Sequence, residues 1–393
     1  MQIPELQLNG LTHQQFLDEY WQKKPCLIRQ GLPGLQFPLS AEEIAGLACE
    51  EDVPARILQE TGGDAGWTVQ HGPFSDEDFA NLSPSHWTLL VTDLEKHIPE
   101  LQALVEPFRF IPDWRIDDLM ISYAVDQGSV GPHWDEYDVF LIQVDGKREW
   151  RVDTKPYTDA DLRPNPDLKI LSRFNAAQSW VLEPGDILYL PPMVAHYGIA
   201  LGECMTCSVG FRAPAYDDML ASLSEELLCK PDIRQRYSDP DLETRDNPGQ
   251  IEQFEIQQVR KKLETLMQLD DASFARWFGQ YVTEPSMDWV MPSEEILGSE
   301  ELHGILDAES QLVRSTASRM AWTDSHGSLL FFADAESSAL PHSLQELIEY
   351  LCRSYQYDTQ TLQQLMGNEE SAFNLLCDLL NRGILEITHD DQD

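Results

Sequence analysis

The sequence predicts an α+β protein: a double-sheet jelly roll, then a helical region, then a winged-helix-like module. Three observations carry this expectation. The first half holds about eight short apolar or alternating runs separated by Gly, Pro and Asp turns, which suits an antiparallel double sheet better than a parallel one. The texture turns helical near Ala213-Pro214. The last region then runs helix, helix, helix, strand. A chain of 393 residues, 42% of them hydrophobic, is long enough for two or three domains with real cores. The boundaries expected are 1–214, 215–285 and 286–393.

The elements follow from local signals. Thr12 with Gln15 makes a capping box for a helix over 12–24, which Pro25 ends. Pro25-Cys26-Leu27-Ile28 reads as a short strand. Ser40, with Glu43, caps a second helix over 40–50. Trp87–Val91 reads as a strand, and Trp114–Ser122 leads into another. Tyr137–Val144 is mostly apolar, as expected of a strand buried on both faces. Asp145-Gly146 is a turn signal before the alternating Glu149–Asp153, so these two runs are expected to pair as a hairpin. Ser179–Leu182, the turn Glu183-Pro184-Gly185-Asp186 and Ile187–Leu190 come next, stopped by Pro191-Pro192. Met205–Phe211 is the last strand of this region. Beyond it, 215–229 reads as a helix. Residues 251–280 read as one long helix, with Ile251, Phe254, Val259, Leu263, Leu266 and Met267 near one face. In the final region Gln311–Ser315 and Ser328–Ala333 are strand-like, and 343–353, 358–366 and 371–381 are helical. Gly383 ends the last helix, and Ile384–Ile387 is a strand.

The charge excludes several functions. Sixty-eight acidic residues face 27 basic ones, a formal net charge of −41. Such a polyanion repels nucleic acid and anionic lipid and draws in basic partners. Residues 301–393 hold 16 Asp and Glu against 4 Arg and no Lys. A DNA-reading helix needs cations for phosphate, so the winged-helix-like module reads as a scaffold or protein-binding unit, without DNA binding. The N-terminal stretch lacks the basic and apolar regions of a signal peptide, and no run of about 18 apolar residues occurs. A cytoplasmic protein that does not enter a membrane is expected. Seven cysteines without a framework spacing suit a reducing compartment. Cys204 and Cys207 form a single CxxC in a strand-like context, with no second pair to complete a zinc site.

One constellation carries chemistry. His133-Trp134-Asp135 sits just before the apolar run of 137–144. In an extended chain, positions i and i+2 face the same way, so imidazole and carboxylate converge on one metal. Two histidines and one carboxylate form a facial set that leaves coordination positions open, which lets iron(II) take a co-substrate and dioxygen together. His196 is the candidate third ligand, because it follows the Pro-Gly-Asp turn, a strand and Pro191-Pro192. An isolated HxD is a common pattern, and setting is what singles this one out. Of the ten histidines, His13 lies in a predicted surface helix, and His71, His86 and His97 precede the strand-rich core. His303, His326, His342 and His389 lie in the acidic C-terminal region.

The segments GPHWDEYDVFLIQVDGKREWRV, LEPGDILYLPPMVAHYG and SVGFRAP together resemble the JmjC-type 2-oxoglutarate oxygenases, whose jelly roll is the cupin-like double-stranded β-helix. With DWRIDDLMIS, HGPF, WQKKP and YSDPD, the chain is similar to the bacterial ribosomal oxygenases. These hydroxylate an arginine of a large-subunit ribosomal protein. The resemblance implies iron(II), 2-oxoglutarate as co-substrate, and dioxygen. It also implies a basic residue for the far carboxylate of 2-oxoglutarate. Arg148 is the candidate, with Lys147 and Arg151 as alternatives. Ser122 is the candidate for a hydroxyl contact to the same carboxylate. For an arginine substrate, Asp126, Tyr137 and Ser208 are the candidate contacts, although Asp126 also reads as a turn former and Tyr137 as a core ring. The resemblance further implies a helical dimerisation region and hence a homodimer. A basic ribosomal protein would give the charge of −41 a use in steering. Rival expectations keep the fold: the same chemistry on a histidine, a methylated lysine or a small molecule, or a cupin-like binding module without catalysis.

Overall fold

Alternation along each strand places one set of side chains in a core and the other in a cavity, and that division organises the N-terminal part of the chain. The computed structural model describes residues 3–62, 66–164, 168–285, 297–307, 311–325 and 327–388. His326, His389 and residues 286–296, where the third domain is expected to open, lie outside the described residues. The chain forms two compact units, Met1–Ala213 and Pro214–Asp393. No described helix is long and apolar enough to cross a membrane.

In the first unit the strands are β1 (Cys26–Ile28), β2 (Ala55–Gly62), β3 (Gly66–His71), β4 (Trp87–Val91), β5 (Ile116–Ala124), β6 (Asp138–Asp145), β7 (Arg148–Asp153), β8 (Gln178–Leu182), β9 (Ile187–Leu190), β10 (Ala195–Ala200) and β11 (Cys204–Phe211). They make two facing sheets, one ordered β1-β9-β6-β11-β5-β4-β2-β3 and the other β10-β7-β8. This is the expected jelly roll. β2 and β3 extend the larger sheet beyond what the sequence patterns suggested. The capped helices α1 (His13–Glu19) and α2 (Ala41–Leu47) form with both halves of their capping boxes in place. Phe16 of α1 packs 5.1 Å from Tyr189 and 5.6 Å from Phe140, ring centre to ring centre. Burying such a ring contributes about 2 kcal/mol or more, so α1 is held on the sheet by one side chain as much as by its caps. Two short helices, α3 (Asp76–Ala80) and α4 (Leu94–His97), flank β4.

The expected hairpin does not form. β6 pairs with β11 and β9, whereas β7 pairs with β10 and β8, in the other sheet. The Asp145-Gly146 turn carries the chain across the jelly roll instead of back along the same sheet. Gly146 has φ +61°, and a Cβ there would lie 2.2 Å from the Glu203 carbonyl oxygen. Only glycine accepts both the left-handed backbone and that approach. The strand patterns were sound, but a turn signal does not say which neighbour a strand will choose.

In the second unit, α5 (Tyr216–Leu228) is followed not by one long helix but by α6 (Gln253–Leu266) and α7 (Asp271–Thr283). Asp270 ends the run by capping α7, its carboxylate accepting from the Ser273 amide at 2.8 Å. α7 lies on a sheet of β13 (Met320–Ser325), β14 (Ser328–Ala333) and β15 (Glu336–Leu340); a Cβ on Gly279 would meet Phe332 at 2.2 Å. The helices α8 (Ser299–Asp307), α9 (Gln345–Arg353), α10 (Thr359–Met366) and α11 (Glu370–Asn381) pack around Leu302, Leu347, Leu362 and Leu376. Beside them lies the sheet of β16 (Gln356–Asp358), β12 (Gln311–Arg314) and β17 (Leu385–Thr388). This completes a winged-helix-like module.

Candidate metal centre and co-substrate cavity

His133 and His196 face each other across an isolated bridge between the β6 approach and β10. Asp135 lies beside both: its Oδ2 is 3.9 Å from His133 Nε2 and 3.5 Å from His196 Nε2. Among the described residues these three form the one group of potential metal ligands, all ligand atoms lying within 4.8 Å of one another. The Nδ1 atoms are already engaged, His133 with the Gly131 carbonyl at 2.9 Å and His196 with the Val194 carbonyl at 3.0 Å. A carbonyl only accepts, so each Nδ1 carries the proton and each Nε2 turns a lone pair toward the centre. Burial, with His133 alongside, lowers the His196 pKa to about 4, so the ring is neutral and ready to ligate. The donor set therefore fits a divalent transition metal.

The triad opens onto a cavity of about 460 Å³. β5 and β6, on either side of β11 in the larger sheet, line it by alternation. Met120 and Ser122 face the cavity while Leu119 and Ile121 face the core; Val139 and Leu141 face the cavity while Phe140 and Ile142 face the core. That is why β6 is apolar on both faces from Val139 to Ile142.

Arg148 stands in the same cavity, on β7, only 4% exposed. Its Nη1 donates to Ser122 Oγ at 3.1 Å, and Ser122 in turn donates to the Thr206 carbonyl at 3.2 Å. Arg148 Nε and Nη2 are buried with no hydrogen-bond partner. A buried guanidinium with two unused donors costs several kcal/mol of lost solvation unless an anion completes it, and a carboxylate matches that fork. Ser122, with its hydrogen spent on Thr206, orients Arg148. Lys147 and Arg151 point elsewhere, to Glu183 and Glu149.

Residues 103–219 match the JmjC domain family and residues 264–386 the ROXA-like winged helix family. The chain is 38% identical over 300 residues to the ribosomal protein uL16 3-hydroxylase of Escherichia coli strain K12, covering 76% of this chain and 79% of that protein. It is 33% identical to a probable ribosomal oxygenase of Haemophilus influenzae over 95% of this chain and 90% of the other. The chain belongs to the JmjC ribosomal oxygenases. Among solved structures, the E. coli ribosomal oxygenase YcfD in complex with cobalt and 2-oxoglutarate superimposes with a TM-score of 0.83 at 32% identity, over 99% of this chain and all of that one.

In this ribosomal oxygenase the three expected substrate contacts part company. Tyr137 and the buried Ser208 both line the cavity. Asp126 does not. β5 ends at Ala124, and Asp126 lies exposed in the turn beyond it, accepting the Gly202 amide at 2.8 Å. Besides Asp135, the carboxylates that line the cavity are Asp117 and Asp118, and Asp118 is the one in step with Met120 and Ser122 along β5. Burial, then Asp117, Glu95 and Asp93, push its pKa up to about 8. Gly210 opposite leaves it room: a Cβ there would lie 2.7 Å from Asp118 Oδ1. Counting back by two from Ser122 was the available signal for Asp118. Cys204 and Cys207 are buried on β11, an odd spacing that sends them to opposite faces of a strand.

Proposed function

We propose that this chain hydroxylates an arginine side chain of the large-subunit ribosomal protein uL16, using iron(II), 2-oxoglutarate and dioxygen. The observation that carries this reading is one cavity holding both the triad His133, Asp135 and His196 and the unsatisfied fork of Arg148. The uL16 hydroxylase of E. coli and the YcfD complex with cobalt and 2-oxoglutarate support it.

His133 and His196 hold the metal through Nε2, and Asp135 through its carboxylate. When bound, the metal supplies the oxidative decarboxylation of 2-oxoglutarate by dioxygen and delivery of one oxygen atom to a C–H bond. Arg148, steadied by Ser122, takes the far carboxylate of the co-substrate and so fixes which end meets the metal. Asp118 takes the substrate guanidinium, with Tyr137 and Ser208 beside it. Val139, Leu141 and Met120 supply apolar surface between these polar groups, and excluding water there strengthens the charge contacts. A basic ribosomal protein is drawn to a chain of net charge −41. A ribosomal protein substrate supports a cytoplasmic setting for the enzyme.

We further propose a homodimer. Phe254, Leu263 and Met267 on and just after α6 are 52%, 54% and 55% exposed, an apolar face of the kind that a second copy covers. Sedimentation should give twice the chain mass for the wild type and one chain mass for Leu263→Glu.

The activity test is direct. Full chain, iron(II), 2-oxoglutarate and recombinant uL16 should add the mass of one oxygen atom to one arginine, with succinate formed alongside. His133→Ala should abolish both. Succinate without modified uL16 would assign the site to another substrate.

A further inference from the structure

β4 is cut short beside the strand that carries Asp118. The pairing of β4 with β5 runs from Thr88 opposite Ala124 to Val91 opposite Ile121. Continued, it would set Asp93 opposite Leu119. Val125 N donates to the Trp87 carbonyl. Hydrogen-bonded pairs alternate along an antiparallel ladder, so the Leu119 amide would fall to the Asp93 carbonyl. That carbonyl is not there to receive it. Asp93 has φ +58°, turns the chain into α4, and gives its carbonyl to the Lys96 amide. Glu95, only 4% exposed, fills the gap: its Oε2 accepts from Leu119 N at 2.9 Å. A buried amide left unpaired is costly, and a buried carboxylate is a rare choice for satisfying one. Lys96, buried beside it and paired with Asp93, partly offsets the charge.

We infer that Glu95 is a positioning residue for substrate recognition: its carboxylate stands in for the missing β4 partner of Leu119 and so holds Asp118, the preceding residue, at the cavity wall. On the other side β11 pairs Val209 with Leu119 and Phe211 with Ile116, and at the register shift between them Gly210 leaves Asp118 space. On its β4 side the strand end that presents the Asp118 carboxylate is thus held by a side chain rather than by a neighbouring strand. Arg148 and Ser122 lie further along, where Ser122 is flanked by the ladder pairs Leu89–Tyr123 and Val91–Ile121, so the co-substrate end does not depend on Glu95. The inference rests on the reading of Asp118 as the guanidinium contact.

The test measures steady-state kinetics of the full chain, loaded with iron(II), toward uL16 and toward 2-oxoglutarate. Glu95→Ala removes the acceptor, and Glu95→Gln keeps it through the amide oxygen. Glu95→Ala should raise KM for uL16 about tenfold, the effect of one lost hydrogen bond to a charged group. It should leave kcat and the KM for 2-oxoglutarate within twofold, about the limit of such a comparison. Glu95→Gln should restore the uL16 KM to within about threefold of wild type. In an Asp118→Asn background Glu95→Ala should add nothing. The inference is overturned if Glu95→Ala leaves the uL16 KM unchanged, if kcat and both KM values shift together, or if the effect persists without Asp118. If Asp118→Asn itself leaves the uL16 KM unchanged, the guanidinium reading falls and this inference with it. If Asp118→Asn raises that KM and Glu95→Ala does not, only the role of Glu95 falls.

Discussion

His133 and His196 hold each other in place through the backbone: the amide of each donates to the carbonyl of the other, at 3.0 Å and 2.8 Å. Their rings lie 4.2 Å apart, centre to centre. The two ligands are therefore set by main chain, and replacing one side chain does not disturb the other's position. His133→Ala and His196→Ala should each cut bound metal to less than about a tenth of wild type by elemental analysis while the melting temperature of the metal-free protein shifts little. A large fall in that temperature would mean that the rings support the fold rather than a metal.

Arg148 has two buried donors waiting for an acceptor. Arg148→Met should weaken 2-oxoglutarate binding at least about tenfold, and Arg148→Lys nearly as much, because lysine keeps the charge but loses the fork. Calorimetric titration with manganese(II) replacing iron separates this from turnover. Unchanged affinity in Arg148→Met would move the anchor elsewhere.

Gly210 should behave as a residue of substrate specificity. A methyl group at this position collides with Asp118 Oδ1. Gly210→Ala should therefore raise KM for uL16 while leaving 2-oxoglutarate affinity as it is. Equal changes in both would point to a general distortion of β11.

Gly146 should matter for stability alone. Its left-handed backbone and its approach to the Glu203 carbonyl are both closed to alanine. Gly146→Ala should cost about 2 kcal/mol or more, read from urea denaturation. No loss would mean that the turn relaxes without separating the two sheets.

Burial pushes the Glu95 carboxyl up to about 7, with Lys96 pulling it down. A carboxyl raised above its ordinary value of 4.5 binds a proton more tightly in the folded state than in the unfolded one. Its contribution to stability is thus fully present below 4.5 and is lost as pH rises through about 7. Between pH 5 and pH 8 the wild type should lose on the order of 3 kcal/mol relative to Glu95→Gln. Parallel urea curves for the two proteins at both pH values would contradict this.

How much of the site could be read beforehand depended on distance along the chain. His133 and Asp135 are two residues apart in the segment before β6, so their short spacing keeps them together. His196 was found through its Pro-Gly-Asp and Pro-Pro setting, and Arg148 through the resemblance. Asp126 was misplaced because β5 stops before it: Gly128, just beyond, approaches the Trp87 carbonyl so closely that a Cβ would lie 2.2 Å away. Asp118 was overlooked although it lies in step with Ser122.

The caps of α1 and α2, the apolar run of β6 and the carboxylate-imidazole pair of His133 and Asp135 were determined by sequence itself. Each depends on interactions within a few residues, where propensity and periodicity act. Tertiary structure decided that β6 and β7 separate into different sheets, that 251–280 breaks at Asp270, and that Asp118 rather than Asp126 enters the cavity. These outcomes turn on which distant backbone supplies a hydrogen-bond partner or leaves room for a side chain. Neither Glu203 beside Gly146 nor Glu95 beneath Leu119 is visible in the residues around them.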